Sequence, residues 1–126
     1  MASRNAGAAV KWFDAPQEHD YPAATSYLSL LLPPDQVDAL VKRLREAPPA
    51  SFKAKDVFRA SGLPLLGISN LHLERDKEKI GAGEQLSPIL LVRDVAHGRV
   101  IVADGYHRLC AVYAVDEDCA IPCRIA

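Results

Sequence analysis

The amino-acid sequence predicts an α+β fold, a small mixed sheet beneath an N-terminal helical layer. Two amphipathic helical stretches fill much of the first half of the chain, two short β-rich runs joined by a hairpin-length connection occupy the last third, and a helix and a final strand follow them directly. Helices gathered toward one end of the chain and a hairpin toward the other give the α+β arrangement.

The first ten residues, "MASRNAGAAV", have no periodicity and are expected to fray, with Trp12 and Phe13 pinning the chain to the body behind them. "HDYPAATSYLSLLL" reads as a helix, with Pro22 suited to its first turn and Ala23, Ala24, Tyr27, Leu28 and Leu31 at helical spacing. His19-Asp20 ahead of it reads as a cap. "PPDQVDALVKRLREAPP" is a second helix: Val37, Leu40, Val41 and Leu44 make one stripe, the basic Lys42, Arg43 and Arg45 suit its end, and Pro48-Pro49 forbid continuation. "KAKDVFRASGLPLL" predicts a short helix stopped at Gly62. These helices place the helical part at about 20–62 and leave 64–126 for the sheet, as one domain.

"LPLLGISNLHL" fits a strand or an extended segment with a turn at Gly67, and "ERDKEKIGAGEQLSP" a polar helical turn or two ending near Gly81 and Gly83. "PILLVRD" and "RVIVADG" predict paired antiparallel strands over 88–93 and 100–104. A helix beginning within two residues of Tyr106 follows, with Leu109, Val112 and Tyr113 as its stripe. "AIPCRIA" is the closing strand, with Pro122 placing it at an edge or marking a strand start.

With 126 residues, 49% apolar, there is enough material for one core. The 15 Lys and Arg against 16 Asp and Glu leave no global field to draw in a polyanion, so any nucleic-acid contact has to be local. No apolar run approaches the roughly 20 residues of a membrane span and the N-terminus does not read as a secretory signal, so the expected location is cytoplasmic, without membrane partners. Cys110, Cys119 and Cys123 are an odd number of thiols with no C-x-x-C pair. Neither a disulfide nor a zinc site with His107 is expected.

The chemistry concentrates in "ADGYHRLCA", residues 103–111. At a strand-to-helix step the amides of the first helical turn face outward at the positive end of the helix dipole, which makes an anion seat. Gly105 lets a ligand approach the backbone, Arg108 offers a planar fork to phosphate or carboxylate, and His107 can donate, accept or transfer a proton. The same residues also fit plain structural roles: Asp104 as a helix cap, Gly105 as a turn residue, His107 as a packed polar group, and Arg108 as the partner of a nearby acid. Since Asp104 repels a bare phosphate, a divalent metal on Asp104 or a hydroxyl held by it would reconcile the two charges. "FKAKD" with Arg59 and the pair His72 and Glu74 are further polar clusters, most simply solvated.

"SPILLV", the hairpin, "VADGYHRLCA" and "IPCRIA" resemble the core of the ParB/sulfiredoxin-like superfamily over about residues 64–126. Gly105, Arg108 and Ala111 match the G-E-R-R-x-x-A box of ParB-type partition proteins, with Tyr106 and His107 in place of its Glu and first Arg. Gly105, His107 and Arg108 match the G-C-H-R of sulfiredoxins, but Tyr106 stands where the nucleophilic cysteine would be, so sulfinic acid reduction by that route is not expected. Asp104, Gly105, His107 and Arg108 are also similar to the D-G-H-x-R pattern of nucleotide-dependent small-molecule kinases of this fold, apart from the spacing at the aromatic position. In those kinases an Asp and an upstream Glu serve phosphoryl transfer, which would make Asp104, His107 and Glu74 catalytic. "GEQLSPILLV" is similar to a ParB segment next to the nucleotide, which would put Gly83 and Pro88 with Gly105, Tyr106 and Arg108 around the ligand.

The resemblance implies a nucleotide or other phosphate-bearing small molecule as ligand, Mg²⁺ with it, and nucleotide hydrolysis or phosphoryl transfer as the reaction. The alternative is a non-catalytic, partner- or DNA-binding regulatory module. A whole partition protein carries a helix-turn-helix and a dimerisation domain after this core, so the 126 residues are not expected to be a whole partition protein.

Overall fold

A computed structural model of the chain describes residues 10–65 and 71–126, without the side chains of 71 and 72. The fold is α+β, as expected. Its elements in order are β1 (Lys11–Trp12), α1 (Asp20–Leu28), α2 (Pro34–Glu46), β2 (Ala50–Lys53), α3 (Ala54–Ser61), α4 (Leu71–Gly81), β3 (Gln85–Leu86), β4 (Ile89–Asp94), β5 (Arg99–Asp104), α5 (Tyr106–Val115) and β6 (Ala120–Ile125).

The main sheet runs β2-β6-β4-β5, and β1 and β3 make a separate two-residue parallel pair. β4 pairs antiparallel with β5 and parallel with β6, while β2 pairs antiparallel with β6, so the sheet is mixed. Alternate residues of β4 serve two cores. Ile89 and Leu91 join one with Val102, Leu109, Ala111, Val112 and Ile121, and Leu90 and Val92 join the other with Tyr21, Ala24, Leu28, Val37, Leu40 and Leu44. A strand covered on both faces needs apolar residues at every position, which is why "ILLV" reads as a continuous run.

Both N-terminal helices form where periodicity places them, but α1 turns only part of the expected stripe inward. Tyr21, Ala24 and Leu28 are buried, whereas Ala23 and Tyr27 are exposed, and Leu31, expected in the helix, lies in the turn after it and is exposed. Ala24 and Leu28 of the expected stripe do pack on the sheet, joined by Tyr21, one helical turn before Ala24. α2 buries Val37, Leu40 and Leu44 as read. α3 ends at Gly62, in a left-handed conformation with φ of 67°, and its amide bonds to the Phe58 carbonyl. Trp12 packs on the first core and the Phe13 amide bonds to Leu86, so this aromatic pair does tie the chain to the body. The expectation of fraying falls on residues 1–9, outside the described residues.

Three elements differ from the sequence reading. β2 had no pattern of its own, and its four residues become a strand by pairing with β6. α4 runs three turns from Leu71, longer than the helical turn or two expected, while the ambiguous stretch before it includes residues 66–70, which lie outside those described. β6 sits between β2 and β4 and is not an edge. Pro122 is tolerated there because it faces Ser51 of β2 one residue before the pairing with β4 begins at Cys123, so its missing N–H removes no bond to β4.

None of the three cysteines is in a disulfide. Cys110 and Cys123 are fully buried, and burial pushes the Cys123 thiol up to about 11, while Cys119, half-buried beside Asp116, is raised by the same cause. The thiolate is the reactive form, so the native protein should resist alkylation at Cys110 and Cys123 while Cys119 reacts slowly. Mass mapping of iodoacetamide adducts, native against denatured, checks this; rapid native labelling of Cys110 would contradict the packing.

Candidate functional site

The C-terminal end of β5 and the start of α5 form one wall of a polar groove. The register between β4 and β5 shifts between Leu90 and Leu91: Leu90 faces Asp104 and Leu91 faces Val102, so Ala103 is an extra residue on β5. A bulge of this kind re-aims the side chain that follows it, here Asp104. Gly105 then turns the chain with φ of 105° and is the N-cap of α5. A β-carbon there would lie 2.5 Å from Ile89 Cγ2 and 2.9 Å from Arg108 Nη2, so both its backbone angle and its surroundings require glycine.

The Leu109 amide donates to the Gly105 carbonyl at 2.9 Å, which starts the helical ladder and sets the amides of Tyr106 to Arg108 ahead of it. Asp104 is not the cap, and no side chain caps this helix. Its carboxylate instead accepts a hydrogen bond from Arg108 Nη2 at 2.9 Å, the ion pair with a nearby acid that the plain structural reading allowed. The two side chains are only 16% and 17% exposed, and Arg108 Nε is buried with no hydrogen-bond partner among the described residues.

Behind Asp104 stands a residue that reading the sequence as a cap missed. Asp20, the first residue of α1, is 2% exposed, and its carboxyl stands near enough to that of Asp104 to raise it. Its own Oδ2 accepts from the Gln17 amide at 2.9 Å, Gln17 Oε1 accepts from the Ser87 hydroxyl at 2.8 Å, and His19 Nε2 lies 3.4 Å from Oδ1. Burial raises the Asp104 carboxyl above its ordinary value and Asp20 adds to the rise, while the Arg108 guanidinium opposes both.

The opposite wall is α4. Arg75, Asp76 and Lys79 line the groove with Asp104, Gly105, Tyr106, His107 and Arg108, around a volume of about 280 Å³. Arg75 and Lys79 are four residues apart on a helix and so share a face, which is how both reach the same groove. That spacing is visible in "ERDKEKI", but nothing local says which helix it will face.

Of the expected site residues, the fold brings together Asp104, Gly105, Tyr106, His107 and Arg108. The Tyr106 hydroxyl donates to the Pro64 carbonyl, and burial pushes its phenol up to about 12, so it remains a protonated donor tying α5 to the segment after α3. The His107 ring lies 5.7 Å from that of Tyr106. Glu74 is on the first turn of α4 but is not among the groove's lining residues, and its Oε2 is buried with no partner among the described residues. Pro88 is fully buried just before Ile89, the residue against which Gly105 rests, and Gly83 lies in the turn after α4 with φ of 75°. Neither lines the groove. The His72 side chain is outside the described residues. Of the cluster formed by "FKAKD" and Arg59, Lys55 pairs with Asp118 at 2.8 Å and Arg59 with Asp56 at 3.8 Å, both at the surface.

Among the described residues no group of three His, Cys, Asp or Glu side chains could hold a metal ion, and no helix is long and apolar enough to cross a membrane. The fold and the groove define a small α+β protein with a cationic cleft at a strand-to-helix step. Compared with protein-family models, curated proteins and solved structures, the chain matches none.

Proposed function

We propose that the groove between α4 and the start of α5 binds a phosphate-bearing small molecule, with a nucleotide as the expected class. The observation that carries the reading is the convergence of Arg75, Lys79, His107 and Arg108 with the first-turn amides of α5 on one polar groove. Arg75, Lys79 and Arg108 face two carboxylates, Asp76 and Asp104, the second of them paired with Arg108, so the balance of the groove is positive by a single charge.

In this reading phosphate oxygens take the amides after Gly105, together with the Arg75 and Lys79 cations. Arg108 turns part of its fork from Asp104 to the ligand, using nitrogens that the single bond to Asp104 leaves over. A Mg²⁺ arriving with a nucleotide would take Asp104 as its protein ligand, since Mg²⁺ keeps most of its shell as water and phosphate oxygen. It would neutralise charge on the phosphates. His107 lies where it can donate a proton or hydrogen bond to charge developing on a phosphate, so hydrolysis or phosphoryl transfer is the reaction proposed for the site. Membership of the ParB/sulfiredoxin-like superfamily is part of the same proposal, supported by the motif residues 104–111 and by the order hairpin, helix, closing strand.

The test is a calorimetric panel of ATP, ADP, GTP and inorganic phosphate, with and without Mg²⁺, at low salt. Binding at millimolar affinity or better is expected, and Lys79→Ala should weaken it about five- to tenfold with an unchanged thermal melt, as for a charge-assisted contact of roughly 1–1.4 kcal/mol. No binding of any phosphate-bearing compound at millimolar concentration would sink the reading and leave the non-catalytic partner- or DNA-binding module in its place.

A further inference from the structure

A second concavity lies at the other end of the β4–β5 hairpin, between α2 and the sheet. Its floor is apolar, made by Leu31, Leu32, Leu40, Val92 and Ile101, and its volume is about 490 Å³, within the range of roughly 300–1,000 Å³ usual for small-molecule sites. Its lining also holds Arg43 of α2 and Arg99 of β5 against a single carboxylate, Asp94; Arg93 of β4 reaches its rim but alternates with Val92 and also lines the opposite face of the sheet beside Leu91.

That carboxylate is already engaged. Arg99 Nε donates to Asp94 Oδ2 at 3.0 Å and His97 Nδ1 lies 2.9 Å from the same oxygen, and these two bonds hold the Asp94 carboxyl below the usual carboxylate range. The trio fixes Arg99 by its Nε and leaves its two terminal nitrogens for another acceptor. Arg43 and Arg93 form no ion pair among the described residues.

An apolar bed with a positive lining has a defined complement. The apolar part of a ligand gains from leaving water over the leucines, while its charged head needs a fork of N–H donors and meets one carboxylate, Asp94, already bonded to Arg99 Nε and His97. A cationic amphiphile would face the arginines, and a neutral one would leave them solvated but unused. We propose that this groove is a binding site for a carboxylate-bearing amphiphile, an acid with a medium-length apolar body, distinct from the phosphate groove on α5. The apolar body lies on Leu31, Leu40, Val92 and Ile101, and the carboxylate is held by Arg43 and Arg99.

Decanoate, decanol and decyltrimethylammonium, each below its micellar concentration, are the probes, read by calorimetry and by NMR shift mapping on the full chain. Decanoate is expected to bind about tenfold or more tighter than decanol, a difference of about 1.4 kcal/mol, with shifts confined to α2 and the β4–β5 hairpin. Arg43→Ala should weaken decanoate about fivefold or more without moving the thermal melt, since Arg43 is an exposed helix residue. Ala39→Phe, which fills the groove from an exposed position on α2, should remove binding. Saturating inorganic phosphate should leave decanoate affinity unchanged, which separates this site from the one on α5. Decanoate binding no tighter than decanol, shifts centred on α5, or affinity unaffected by both substitutions would each overturn the proposal.

Discussion

Gly105→Ala should destabilise the protein by about 2–6 kcal/mol, among the larger effects available to a single added methyl group. Two costs combine. A residue with a β-carbon is strained at φ of 105°, at roughly 1–3 kcal/mol, and the new atom would lie 2.5 Å and 2.9 Å from two carbons of Ile89 in a packed core, adding about 1–3 kcal/mol for forced movement. The control is Gly62→Ala, where φ is 67° but nothing lies within 4 Å of the added carbon. It should lose only the conformational part, about 1 kcal/mol. Urea unfolding of both variants decides the matter, since equal losses would mean that the contact with Ile89 is soft. Adding Ile89→Ala to Gly105→Ala should show coupling, with the pair losing less than the sum of the single changes, because neighbours sharing a contact are not additive. The groove would be disturbed with the fold, since the same carbon would approach Arg108 Nη2 at 2.9 Å.

Arg108→Ala is expected to affect ligand and fold separately. In the proposed phosphate site it removes a charge-assisted fork and weakens nucleotide binding by roughly 1.5–3 kcal/mol, about ten- to a hundredfold. It also strips Asp104 of the cation that opposes its desolvation and leaves the carboxyl beside Asp20. Stability at neutral pH should therefore fall, by about 1–3 kcal/mol for a largely buried carboxylate left without its partner.

The dependence on pH has a definite sign. The folded Asp104 carboxyl is raised above 3.8 in the native protein, and losing Arg108 raises it further. A group with a raised folded value binds more protons when folded, so its stabilisation is complete below 3.8 and is lost as pH rises through the folded value. The deficit of Arg108→Ala should accordingly shrink on acidification toward pH 4 and grow to a plateau above the folded value. A deficit independent of pH would mean that Arg108 acts through packing alone. Asp20→Asn in the same background removes the neighbouring charge and should recover part of the loss at neutral pH.

The way these residues come together explains what was legible in the chain. α2, α3 and α5 follow from apolar spacing, Pro48-Pro49 and Gly62, because helix formation is decided within a few turns and its stop signals are local. The β4–β5 hairpin and the strand-to-helix step at Asp104-Gly105 are local in the same sense. They place Asp104, Tyr106, His107 and Arg108 together on one short stretch of chain.

Other features depend on partners far along the chain. β2 is a strand because β6 lies beside it, some 70 residues later, and α1 turns Tyr21 inward because of what the sheet presents to it. The Ala103 bulge that re-aims Asp104 is a matter of register with β4, and register is set by packing on both faces of the sheet. Asp20 resembles an ordinary cap residue in sequence, and only the docking of α1 on β5 buries it against Asp104. Arg75 and Lys79 are two charges in a polar helix until α4 is laid against α5. By itself the sequence determined the helices, the hairpin and the turn that carries the site's motif, because those depend on neighbours within a few residues. Only the tertiary structure decided which charges face one another across the groove, because that depends on the long-range contacts that close the core.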